Sequence, residues 1–232
     1  MRWLLGKSQS INSILSSMRK SGKLKDMKAK GDAGEQAVLQ IVLELHRRTG
    51  GLVYQSFRYP YQQDKTGTTY LGNVKLENNE FVEYTDASNG RRLEDEIDIL
   101  YVTPYRIFPI EVKSYHAKIE VKGDWVWKQG TPVDKSPVAQ AEKHARHLYH
   151  ALYDVIPDGR PEYIKPVACF VDRCTLIDKR TDAQISYLPC CILNTLKKTL
   201  ISENTPLRYN IDIEQVQRKL TEVSTDVKLR FV

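Results

Sequence analysis

Long apolar runs are missing from this 232-residue chain. None approaches the ~20 residues that a bilayer-spanning helix requires, and the opening MRWLLG turns polar too soon for a secretory signal. A cytoplasmic protein with no membrane contact is therefore expected. Cysteine is scarce: Cys169, Cys174, Cys190 and Cys191 are the only four. They form no C-x-x-C pair and no His-spaced zinc pattern, so reduced thiols packed in a core are expected in place of a disulfide or zinc framework. The sequence also has no Walker loop, no G-x-G-x-x-G fingerprint and no G-x-S-x-G elbow. Internal repeats and low-complexity tracts are lacking. Acidic residues are depleted in one place only, since residues 1–30 carry eight Lys or Arg against Asp26 alone. The overall net charge of +6 belongs to that segment, and residues 31–232 sit at −1. Such a segment is either a phosphate-binding arm or a solvated tail, and the charge of the main body says little about its partners.

What is present is globular. With 41% hydrophobic and 28% charged residues, the composition is that of a folded domain with a core of useful size. Residues 1–30 read as a basic N-terminal segment, with a short helix over 11–20 and a connector over 19–30. Residues 31–232 read as a single domain. Asp32 looks like the N-cap of a helix running to about Arg48 and ended by Gly50 and Gly51. Its stripe Val38, Val42, Leu45 is continued one turn earlier by Glu35. Residues 52–61 alternate like a strand, and 64–92 read as an inserted hairpin with strand-like 74–76 and 80–84. Strands over 97–102 and 107–114 are joined by so short a turn that they must be antiparallel. A second hairpin is expected from 118–122 and 125–128. Ser136 and Pro137 start a helix to about Val155. Strands over 164–171 and 186–192, and helices over 193–202 and 213–223, complete the chain. The order predicts an α/β fold, a mixed central β-sheet flanked by helices on both faces.

Two of these strands carry an unusual cost. EIDIL (96–100) places Asp98, and IEVKS (110–114) places Glu111 and Lys113, among apolar neighbours. Charges facing a buried layer persist when a metal or an opposite charge compensates them. Side chains two apart in a strand share a face, roughly 6.5–7 Å apart, so Glu111 and Lys113 project together while Val112 points into a packed layer. Asp98, on the antiparallel neighbour, reaches the same face. Two carboxylates and the Val112 carbonyl are oxygen donors of the kind that hold Mg²⁺ or Mn²⁺. Lys113 then stands where it can orient water or neutralise a pentacovalent phosphate. The competing reading is a salt bridge of Lys113 with Glu111 or Asp98 on an exposed sheet face. His144, His147 and His150 form a drifting stripe on a helix that buries Ala141, Ala145, Leu148 and Leu152, and a structural or exposed role is expected for them. Of the three, His144 lies nearest Gln140 and is the candidate for phosphate contact; His116 is a candidate for the cleft wall. Trp125 and Trp127 are expected to pack in the core or hairpin and not to stack bases.

The ordered set GDAGEQAV (31–38), EIDIL, EVKSY (111–115), DWVW (124–127) and SPVAQAEKH (136–144) resembles the nuclease-related (NERD) domain, a branch of the PD-(D/E)XK nuclease superfamily. The resemblance covers about residues 31–155. It implies a restriction-endonuclease-like core, Asp98 and Glu111 as metal ligands, and Lys113 as the catalytic lysine. It also implies Glu35 as the first-helix acid and Gln140 as the glutamine that contacts the lysine, a water or DNA. The ordinary alternatives are a dipole-favoured acid for Glu35 and a plain polar helix residue for Gln140. The activity implied is Mg²⁺- or Mn²⁺-dependent hydrolysis of DNA, leaving 5′-phosphate and 3′-hydroxyl ends. The alternative is a DNA-binding module that docks nucleic acid for a partner without cutting it. Two departures stand out. Ser136 replaces the family's usual Asn before the proline, and the segment between the first helix and EID is long.

Overall fold

The computed structural model describes residues 27–63, 69–70, 74–77, 80–83, 91–133 and 136–224. Helix α1 (Met27–Thr49) comes first. Its apolar residues Val38, Ile41, Val42 and Leu45 recur at helical spacing and are all buried. Gly50 ends the helix at φ 71, with its N–H donated to the His46 carbonyl. Asp32 lies inside this helix and does not cap it. Lys28, Ala29 and Lys30 are good helix formers that carry the helix back past Gly31, whose propensity cost is only about 1 kcal/mol. The expected helix over 11–20 and most of the connector lie outside the described residues.

Strands β1 (Leu52–Gln63) and β5 (Arg91–Val102) form a long antiparallel ribbon, paired from Leu52↔Val102 to Gln63↔Arg91. Both run further than the sequence predicted. Short strand β2 (Thr69–Tyr70) pairs with the end of β1, and β3 (Val74–Glu77) with β4 (Glu80–Glu83) makes the expected inserted hairpin. After a turn in which the Thr103 hydroxyl accepts the Tyr105 and Arg106 N–H groups, β6 (Ile107–Ser114) returns antiparallel to β5. Strands β7 (Ala117–Lys122), β8 (Trp125–Lys128) and β9 (Thr131–Pro132) follow, then helix α2 (Pro137–Leu152). The chain closes with β10 (Val167–Val171), β11 (Cys174–Asp178), α3 (Asp182–Tyr187), β12 (Cys190–Ile192), α4 (Leu193–Glu203) and α5 (Ile213–Val223).

The main sheet has the order β12-β10-β6-β5-β1-β2, parallel across β12, β10 and β6 and antiparallel beyond. One face packs on α1 and α4 through Val38, Val42, Phe108, Ile110, Val112, Leu196 and their neighbours. The other packs on α2 and α5 through Tyr54, Phe57, Ile97, Leu148, Leu152, Val216 and Leu220. This is the mixed sheet flanked by helices that the sequence predicts. A second sheet, β11-β7-β8-β9, was not legible as such. Its inner face, Ile119, Val121 and Val126, packs against Val138 and Ala141 of α2.

Several boundaries differ for identifiable reasons. The strand expected over 164–171 starts at Val167, because Pro166 has no N–H to give a ladder. Residues 186–187 are helical, not extended. Thr181 and Gln184 form a reciprocal capping box that starts α3, so only Cys190–Ile192 are left as a strand. Ser136 has an N-cap backbone, but its hydroxyl makes no cap bond. Of the two tryptophans expected in the core or hairpin, Trp127 packs in the β7–β8 hairpin, with Lys122 Nζ 5.1 Å from its ring, whereas Trp125 is 53% exposed. All four cysteines are free thiols, with Cys169 and Cys191 buried as expected. Among the described residues no helix is long and apolar enough to cross a membrane.

Candidate active site

One irregularity in the ribbon prepares the site. Leu52 and Tyr54 of β1 face the α2 side, and strict alternation would put Ser56 there next. Phe57 and Tyr59 face that side instead. Ser56 takes a positive φ of 52, and the strand pairing skips it opposite Asp98, passing from Gln55↔Ile99 to Phe57↔Ile97. A positive φ in a non-glycine residue of a strand marks a local kink of this kind. On the other edge of β5 the ladder to β6 stops at Ile99↔Ile110. One residue further, the Asp98 side chain replaces the missing backbone partner: its Oδ2 accepts the Val112 N–H at 2.7 Å. Asp98 is thereby fixed beside β6 at the point where the strands part.

Glu111 and Lys113 project from β6 toward α2, while Val112 packs under α1. Glu111 is 2% exposed. Its Oε1 meets Lys113 Nζ at 2.5 Å, and its Oε2 lies 3.2 Å from His144 Nε2. Burial alone would raise the Glu111 carboxyl, but the bond to His144 and the Lys113 charge hold it below the usual carboxylate range. Burial likewise works against the Lys113 ammonium, and the Glu111 carboxylate outweighs it, so the Lys113 pKa is raised. Asp98 differs. Burial, then the Glu111 charge beside it, push its carboxyl up to about 8. The salt bridge expected as the competing reading does exist at Lys113, but on a buried carboxylate and not on an exposed sheet face.

Glu35 arrives from the opposite side of the sheet. Gly34, just before it, is the close approach of α1. A Cβ there would lie 2.6 Å from Val171 Cγ2 and 3.8 Å from Val112 Cγ1. The helix can sit this low on β6 and β10 because residue 34 has no side chain. From that position the Glu35 charge reaches Asp98 and adds to the upward push on its carboxyl. Gln140 sits one turn before His144 on α2, and its Oε1 is buried with no hydrogen-bond partner among the described residues. The structure therefore brings Asp98, Glu111, Lys113 and the Val112 backbone together, with Glu35 in electrostatic reach and Gln140 on the covering helix.

Sequence reasoning missed a buried polar layer behind Glu111. His144 and His147 are 1% and 3% exposed, so His144 is a partner of Glu111 and is not placed to meet phosphate. Tyr59 Oη lies 3.0 Å from His144 Nδ1, 3.1 Å from His147 Nδ1 and 3.3 Å from Asp95 Oδ2. Asp95 in turn accepts Lys143 Nζ at 2.5 Å. Burial pushes His147 down to about 3, whereas His150 is half-buried and lowered by the same cause. His116 is exposed and faces Asp172 at 3.3 Å, and Ser114 Oγ bonds that same carboxylate. The available signal for the layer was the phase of Phe57 and Tyr59 along β1, which becomes visible only once the kink at Ser56 is known.

Among the described residues no three His, Cys, Asp or Glu converge into a closed ligand set. A hard divalent ion does not need one, since Mg²⁺ commonly takes one or two carboxylates and completes its shell with water and phosphate. The donor chemistry fits such an ion. The part-buried Asp98 and the buried Glu111 face one ammonium, and burial first, then the Glu111 charge, raises Asp98. No curated protein and no solved structure matches the chain. The family model described as nuclease-related domain matches residues 30–171, more than half of the sequence. That span takes in α1, β5, β6, α2 and β10, the elements that carry or press on every residue of the site, and the chain belongs to the nuclease-related domain (NERD) family.

Proposed function

We propose that this protein is a Mg²⁺- or Mn²⁺-dependent nuclease that hydrolyses phosphodiester bonds of DNA. The observation that carries the reading is the pair Asp98 and Glu111: a part-buried carboxyl raised by burial and by the charge of a buried carboxylate beside it, with Lys113 bonded to the latter. Asp98, Glu111 and the Val112 carbonyl would hold the ion. When bound, it supplies Lewis-acid polarisation of the scissile phosphate and a lowered pKa for attacking water. The chain's own residues do the rest. Val112 N–H fixes the Asp98 carboxylate. Lys113 brings a positive charge to where negative charge grows on the phosphate. Glu35 and Gln140, one from each covering helix, hold and orient water at the edge of the site.

A second reading has one observation in its favour. Lys113 already satisfies Glu111 Oε1 and Val112 N–H satisfies Asp98 Oδ2, so the site is partly neutralised without an ion, as a non-cleaving DNA-binding module would require. Plasmid and linear DNA incubated with Mn²⁺ or with EDTA, beside Glu111→Ala and Lys113→Ala, separate the two. The nuclease reading expects cutting with metal only, and a fall on the order of 10²–10³-fold in either variant. Metal-independent cutting, or cutting that survives both substitutions, removes Asp98, Glu111 and Lys113 as the site. Binding without cutting in any metal selects the module.

A further inference from the structure

Glu111 has two oxygens, and only one of them faces Lys113. The other, Oε2, is committed to His144 Nε2 at 3.2 Å, with both side chains about 2% exposed. An ionised carboxylate only accepts, so the hydrogen of this contact belongs to Nε2. For a neutral imidazole that leaves Nδ1 bare, and it faces the Tyr59 hydroxyl at 3.0 Å, with Asp95 Oδ2 further off at 3.7 Å. Tyr59 has a single proton to give. If it goes to His144 Nδ1, the Tyr59 oxygen accepts from the other ring nitrogen in range, His147 Nδ1 at 3.1 Å. Asp95, at the longer 3.3 Å, keeps Lys143 as its main partner. With the Tyr59 proton on His144 and not on Asp95, the contacts run one way: His147 Nδ1–H to Tyr59, Tyr59 O–H to His144 Nδ1, His144 Nε2–H to Glu111.

We propose that His144 is a positioning residue, locked by Tyr59 as the Nε2–H tautomer, which holds Glu111 Oε2 and so presents Oε1 beside Lys113. Three elements meet to do this, with Tyr59 from β1, His144 and His147 from α2, and Glu111 from β6. The hydrogen-bond chain stands by itself, whereas its consequence for metal affinity rests on the nuclease reading above. A partner behind a metal-binding side chain fixes its orientation, and losing one typically costs 10–100-fold in affinity.

The test has two independent arms on the full chain. In the first, long-range ¹H–¹⁵N spectra of ¹⁵N-histidine protein near pH 8 report the tautomer of each of the five histidines, with His144→Gln assigning the relevant pattern. The expected result is a protonated Nε2 and a bare Nδ1 on His144, with the pattern changed in Tyr59→Phe. A protonated Nδ1 and bare Nε2 on His144 overturns the proposal. In the second arm, Mn²⁺ affinity is measured without DNA by electron paramagnetic resonance. His144→Gln carries an amide N–H to about the place of Nε2 and should stay within about 3-fold of wild type. His144→Asn, too short to reach, and His144→Leu should each weaken binding by about 10-fold or more. Folded His144→Leu protein with wild-type affinity overturns the positioning role. If His144→Leu does not fold, the comparison of Gln with Asn and the tautomer still decide. If wild type binds no Mn²⁺ at all, the metal reading fails, and the spectra still judge the His144–Glu111 bond.

Discussion

At the scale of single residues, the two buried histidines of α2 divide the work of one buried polar layer. His144 faces the Glu111 carboxylate, and His147 faces the Tyr59 hydroxyl. Burial, then the nearby Lys143 charge, hold His147 down at about 3, far below the ordinary ~6.5. A depressed folded-state pKa gives stability that is fully present above pH ~6.5 and is lost as pH falls toward 3, because the unfolded chain takes up a proton that the folded chain refuses. Wild type should therefore lose stability over that window by up to about 1.4 kcal/mol per pH unit more than His147→Gln. Urea melts of both proteins at several pH values check this. Parallel curves between pH 6.5 and 4 would mean that His147 is not the titrating group. The sequence made Asp98, Glu111 and Lys113 legible because charge inside an apolar strand is locally anomalous. It could not reveal the pairing of Tyr59 with His144. That contact spans 85 residues and depends on where a helix phase meets a strand whose alternation has slipped.

At the scale of elements, helix α1 is placed by a missing side chain. Gly34 lets the helix axis sit close enough to β6 and β10 for Glu35 to act on Asp98. Two effects oppose one another in Gly34→Ala. Helix propensity favours alanine by about 1 kcal/mol, while a Cβ 2.6 Å from the branched, buried Val171 overpacks the contact. Overpacking of this kind costs about 1–3 kcal/mol, and the stiff, single-torsion valine has little room to turn away. The substitution should destabilise the protein and also cut activity, read by thermal melts alongside Mn²⁺-dependent cleavage; a stabilised Gly34→Ala protein would show that the helix is free to lift. The sequence held the glycine and the glutamate, but not the reason for their adjacency, since Val171 is contributed by β10, a long way along the chain. Strand β11 was missed for a similar reason. Its pairing is parallel to β7 across a helix and three other strands, and Cys174–Asp178 has no buried apolar run of its own.

At the scale of the whole molecule, charge is divided unevenly. Six of the eight N-terminal Lys and Arg residues precede Met27, where α1 begins, and residues 31–232 carry a net −1. Removing residues 1–26 should weaken DNA binding and flatten its dependence on log salt, since fewer counterions are released. Fluorescence anisotropy across a salt series measures the slope, and an unchanged slope would show that the segment is no phosphate-binding arm. The layered fold was legible from element order, whereas the second sheet required knowing which hairpin β11 would join. The β1–β5 ribbon also bears on how relatives should be sought. Its two strands stay paired out to Gln63 and Arg91, some seven residues or roughly 24 Å beyond Asp98, so everything between them enters and leaves at that distal end. The spacing from Glu35 to Asp98 is then free to drift without disturbing the site, whereas the twelve residues between Asp98 and Glu111 are pinned by two paired strands and a tight turn. A search pattern for such proteins should leave the first gap open and hold the second fixed.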